Sequence, residues 1–116
     1  MLLGADPVIV FRTLPYLQRL VDAEPFGTLV DDRKVKLYVA FLAQKPKRLP
    51  LFPMAIPKEM IEVRGMHQQD VLIVSHPKAN GFYGFPGLWT ETELRVASTA
   101  RNWSTIVRIV KRPTAP

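Results

Sequence analysis

Lys34-Val35-Lys36-Leu37-Tyr38-Val39-Ala40-Phe41-Leu42 sets Val35, Leu37, Val39 and Phe41 on one side and Lys34, Lys36 and Tyr38 on the other. That period of two is the pattern of a β-strand with one face turned to a core. Upstream, Val8-Ile9-Val10-Phe11 is a short apolar run rich in β-branched residues and reads as a strand buried on both faces. Between the two, Thr13 can cap a helix whose first turn tolerates Pro15. Leu14, Leu17, Leu20 and Val21 form its apolar stripe, and Pro25 stops it. Gly27 and the acidic pair Asp31-Asp32 mark the turn into the alternating strand.

Downstream, prolines at positions 46, 50, 53 and 57 exclude a regular helix or a central strand from Ala43 to Pro57. The apolar Leu49, Leu51, Phe52, Met54 and Ile56 in that segment predict a long irregular connection packed over the core. Met60 to Arg64 and Val71 to Ser75 are β-rich and flank Gly65 and the polar run His67-Gln68-Gln69-Asp70, a hairpin pattern. From His76 to Trp89 the chain is loop-like, with Pro77, Asn80-Gly81, Gly84, Pro86 and Gly87 around Phe82, Tyr83 and Phe85. Thr90 and Glu93 fit a capping box, with Trp89 and Leu94 as its hydrophobic staple, so a short helix is predicted through Ala97. Ser98 or Thr99 can cap the next helix, where Trp103, Ile106, Val107 and Val110 form one stripe that Pro113 ends. The order β-α-β-β-β-α-α predicts an α+β fold. We expect a mainly antiparallel sheet of about four strands with helices on one face, a sandwich related to ferredoxin-like folds.

Length and composition bound the rest. The 116 residues suit one domain, and 47% hydrophobic against 22% charged residues is a composition that folds. Having no cysteine removes disulfides, thiolate nucleophiles and Cys-based metal sites, and suits the cytoplasm. Met1 to Pro7 has no basic n-region, and no apolar run is long enough to span a bilayer, so no membrane association is expected. A net charge of +6 favours anionic partners. The basic residues are scattered, however. Lys45, Lys47 and Arg48, with Lys58 nearby, and Arg108, Lys111 and Arg112 are the densest groups, and a solvated loop and a cationic last helical turn explain them.

Thr99-Ala100-Arg101-Asn102-Trp103-Ser104-Thr105, together with the Leu37 to Leu42 strand, the hairpin and the Thr13 helix ending near Pro25-Phe26, resembles the C-terminal part of the bacterial domain-of-unknown-function 1697 family. The closing motif is the specific part. The resemblance implies the fold above and no reaction, because none is assigned to the family. Its members carry a further N-terminal domain with an Arg-Gly-Ile-Asn-type segment; nothing like it stands before Val8, so residues 1 to 116 are read as a single-domain version or a fragment. Ser104 replaces the family's second asparagine, and Gly81-Phe82-Tyr83-Gly84-Phe85-Pro86-Gly87 replaces its Ser-Lys-containing glycine loop, which weakens an anion-binding role there.

Five residues form the candidate contact set for a ligand, an anion or nucleic acid: Lys78, Tyr83, Thr99, Arg101 and Asn102. Thr99, Arg101 and Asn102 would present an anion site at the start of the last helix. The plainer reading has Thr99 capping the helix, Asn102 bonding nearby backbone and Trp103 anchoring it. Phe82, Tyr83 and Phe85 beside Lys78 and Arg101 could stack bases. Adjacent Ser75 and His76 point to opposite faces of a strand, without a Gly-x-Ser-x-Gly elbow, which excludes a hydrolase pair. His67 and His76 specify no metal site, and no nucleotide or cofactor fingerprint occurs. No catalytic residue, metal or cofactor is assigned, and the pattern leans away from an enzyme. The leading expectation is a non-catalytic binding or protein-interaction domain, acting through contact with a protein partner or through self-association. Nucleic-acid binding through a basic surface and the Phe82-Tyr83-Phe85 loop is the first alternative, and a small-molecule enzyme near Arg101-Asn102 the second.

Overall fold

The alternating stretch becomes an inner strand of one sheet. The computed structural model describes residues 10–48, 50–84 and 93–111. In chain order these form helix α1 (Leu14–Asp22), strands β1 (Lys36–Leu42), β2 (Met54–Ile56), β3 (Ile61–His67), β4 (Asp70–Ser75) and β5 (Ser98–Asn102), and helix α2 (Trp103–Lys111). Short 3-10 turns cover Gly27–Asp31 and Pro57–Glu59. The sheet has five strands in the order β2-β3-β4-β1-β5, and every neighbouring pair is antiparallel. No helix among the described residues is long and apolar enough to cross a membrane.

Both faces of the sheet are covered, so β1 and β4 are apolar on each side. Leu37, Val39 and Phe41 of β1 with Leu72 and Val74 of β4 meet Tyr16 and Leu20 of α1 and Trp103 and Ile106 of α2. Ala40, Leu42, Val71 and Ile73 face the other way and meet Ile61 and Val63 of β3 with Leu94 and Val96. Helices α1 and α2 therefore lie on one face. On the opposite face the described residues that pack include Phe52 of the proline-rich connection. Thr13 caps α1 as its sequence predicts, its hydroxyl accepting the Tyr16 N–H at 3.3 Å, worth about 1 kcal/mol.

Four expectations change. Val8 and Ile9 lie outside the described residues, while Val10 and Phe11 are not strand. Val10 instead donates its N–H to the Thr99 hydroxyl at 3.2 Å. The connection after β1 gains a short edge strand, β2, and Leu51 is 91% exposed rather than packed. Trp89 and Thr90 of the expected helix lie outside the described residues. Leu94 to Ala97 are not helical, because Arg95 takes a φ of 54° and the Ala97 carbonyl accepts the Ala43 N–H at 2.8 Å. Ser98 and Thr99 consequently do not cap the last helix: they pair with Leu42 and Phe41 in β5. Asn102 holds the cap position, its side-chain oxygen accepting the Ser104 N–H at 2.9 Å.

The fifth change is at Asp70, which the polar run places in a turn. The turn is only Gln68 and Gln69, and Asp70 opens β4 with 0% exposure. Its carboxylate accepts from Arg12 twice, at 2.9 Å from Nε and 2.7 Å from Nη2. It also accepts from the Tyr16 hydroxyl at 2.6 Å and from the Leu42 N–H at 3.0 Å. Arg12 further donates to the Leu42 and Phe11 carbonyls at 2.7 and 2.9 Å. A bidentate guanidinium and two neutral donors balance the desolvated carboxylate; removing it strands all of them, which typically costs about 3–5 kcal/mol. Asp70→Ala is accordingly expected to lower the unfolding free energy from urea titration by that amount, and Arg12→Met to add little on top of it. A loss below about 1 kcal/mol, or additive losses in the double variant, would show that the cluster is not a unit.

Candidate functional site

The Arg12–Asp70–Tyr16 cluster is the first place to seek chemistry, being the one buried ion pair among the described residues. Burial pushes the Tyr16 pKa well above its ordinary 10.0, and the bond to Asp70 pushes it further. Arg12 is raised mainly by its hydrogen bond to Asp70, against the opposing effect of burial. The Arg12 guanidinium also lies 5.9 Å from the Tyr16 ring centre and 5.7 Å from that of Phe41. The Arg12 and Asp70 charges neutralise each other and their hydrogen bonds go to protein, so the cluster positions chain. His67 packs edge-on against Tyr16 at 5.7 Å.

The residues singled out in the sequence do not form one site. Tyr83 donates its hydroxyl to the Lys34 carbonyl at 3.0 Å, and the Lys36 ammonium lies 4.3 Å from its ring centre. Lys78 is committed to Glu59 at 3.1 Å. Thr99 and Arg101 pair with Phe41 and Val39, which puts them on the helix-bearing face. Asn102, opposite Tyr38, is on the other face and caps α2. Phe85 lies outside the described residues. Lys45, Lys47 and Arg48 follow the end of β1, whereas Tyr83 packs at its start. The seven residues of that strand separate the two by roughly 20 Å. Ser75 is fully buried between β1 and β3, out of reach of a substrate.

What the fold does assemble is a groove between the end of α1, the 3-10 turn after it, and α2. It has a volume of about 1240 Å³. Val21, Phe26, Val30, Trp103 and Val107 give it an apolar floor, set by the Phe26 ring standing edge-on to Trp103 at 5.2 Å. One wall, from residues 24 to 31, carries Glu24 and Asp31; the other, from α2, carries Arg108 and Lys111. All four are exposed, and none makes an ion pair within the described residues. In the sequence Val21, Trp103 and Val107 look like core stripe positions, and only the approach of α1 to α2 turns them into a groove. A smaller recess of about 550 Å³ lies on the opposite face of the sheet, between Lys36, Tyr38, Ala100 and the loop 81–84.

Comparison of the chain with protein-family models, curated proteins and solved structures finds no match. The raised Tyr16 pKa gives a check on the cluster. The tyrosine ionises above pH 10 in the unfolded chain but not in the folded one, so its contribution to stability is complete below that pH and is lost as pH rises. Tyr16→Phe is expected to cost about 1.5–3 kcal/mol at neutral pH. The gap should close by about 1.4 kcal/mol per pH unit above 10. Urea titrations of the two proteins that stay parallel up to about pH 11 would contradict a buried, bonded Tyr16.

Proposed function

We propose that this chain is a non-catalytic interaction domain that associates with a second copy of itself through the α1–α2 groove. The supporting observation is the distribution of charge across the groove. An acidic wall and a basic wall flank one apolar floor, and neither wall makes an ion pair among the described residues. A two-fold axis running along the groove exchanges the walls, so Glu24 and Asp31 of one copy meet Arg108 and Lys111 of the other twice over. That is the self-complementarity an isologous interface requires. Val30, 53% exposed in the floor, adds apolar surface that the second copy would cover.

The Trp103-Ser104 part of the segment that resembles the domain-of-unknown-function 1697 family lines this groove, and membership of that family belongs to the proposal. So does kinship with ferredoxin-like sandwiches, which the antiparallel sheet with α1 and α2 on one face supports. We place the protein in the cytoplasm, which a cysteine-free chain suits.

Charge exchange tests the interface. Arg108→Glu/Lys111→Glu makes both walls acidic, and Glu24→Lys/Asp31→Lys makes both basic. Each variant alone is expected to self-associate at least tenfold more weakly than the parent in sedimentation velocity, a change of about 1.4 kcal/mol. Mixed together, they are expected to form a heterodimer. A parent that stays monomeric at high concentration, or variants that assemble as the parent does, would overturn the reading.

A further inference from the structure

We propose that the recess over Tyr38 binds single-stranded nucleic acid, a base stacking on Phe82 while phosphates engage Lys34 and Lys36. Phe82 is 70% exposed, yet residues 78 to 84 around it are tied down. Lys78 donates its N–H to the Phe82 carbonyl at 2.8 Å, and Gly81 donates to the Lys78 carbonyl at 2.8 Å. The Phe82 N–H is taken by the Asn80 side chain at 3.0 Å. Lys78 ties the loop to Glu59, Tyr83 ties it to Lys34, and Gly84 sits so close to Glu59 that an added Cβ would lie 2.5 Å from its carbonyl oxygen. A ring held in water by an ordered loop can accept a planar ligand without a further ordering cost.

The surroundings match a polyanion with flat faces. The glycines at 81 and 84 and the small Ala100 leave the recess open beside Phe82, with Tyr38 and Tyr83 in its lining. Lys34 and Lys36 are exposed and have no ion-pair partner among the described residues. Asp32, the adjacent acid, is turned onto the Lys34 N–H at 2.9 Å. These cations were not singled out in the sequence; they replace Lys78, which is paired, and Arg101, which is on the other face. A stacked base needs an exposed π-face, so a single strand fits and a duplex does not. Tyr38 and Ala100 lie on the sheet face away from the helices, which makes this site independent of the groove.

The test is fluorescence anisotropy of a labelled ten-nucleotide oligo-dT with the full chain, at several salt concentrations. Phe82→Ala is expected to weaken binding at least tenfold with the salt dependence unchanged. Lys34→Ala/Lys36→Ala is expected to lower the slope of log affinity against log salt by about 0.7 per removed charge. Lys45→Ala/Lys47→Ala, at the far end of β1, should retain the affinity per added protein to within about threefold. No binding at low salt, equal binding of a duplex of the same length, or indifference to Phe82→Ala would each overturn the proposal.

Discussion

The Asp70 carboxylate is the constraint around which the fold is arranged. It is fully buried at the start of β4, and its bonds reach the segment before α1 through Arg12, α1 itself through Tyr16, and the end of β1 through the Leu42 N–H. A charge in that position persists only with all its partners, so it fixes the register of three chain segments that hydrophobic contact would leave free to slide. The orientation of α1 follows, and with it the place where the chain leaves α1 toward Phe26. Phe26 then meets Trp103 and sets the depth of the groove.

The sheet was legible to the extent that its side chains alternate. The period of two in β1 survives at its start, where Lys36 is exposed and Tyr38 half-buried, and gives way to a continuous apolar run at Val39 to Leu42, as in β4, because both faces of the sheet are covered there. The short edge strands were not legible. Ser98 to Asn102 alternates small and polar residues with no apolar face, and only its pairing with β1 identifies it as strand rather than helix cap. Asp70 was missed for a related reason. A carboxylate after His67-Gln68-Gln69 has the chemistry of a turn, and its main partner, Arg12, is 58 residues away. Leu94 and Val96 were read as helix positions, whereas alternate residues of an extended segment close the second core equally well.

The candidate site was legible as chemistry and not as geometry. Tyr83 and Phe82 were picked for being aromatic beside glycines, and they do line a recess; the cations beside them come from the start of β1. Thr99, Arg101 and Asn102 are consecutive enough to suggest one site, but a strand distributes neighbours to opposite faces. The groove is the converse case. Its apolar residues were visible as two helical stripes, and its opposed acidic and basic walls arise only when the turn at 27–31 is brought alongside α2. The two surfaces lie on opposite sides of the sheet, so one chain can pair with its copy and leave the recess open.

Amide spectra recorded over a dilution series of the isotope-labelled chain would read out association through the groove. Concentration-dependent shifts confined to residues 21 to 31 and 103 to 111, the two walls of the groove, are expected. Spectra that do not change with concentration, or changes centred on residues 78 to 84, would contradict that association.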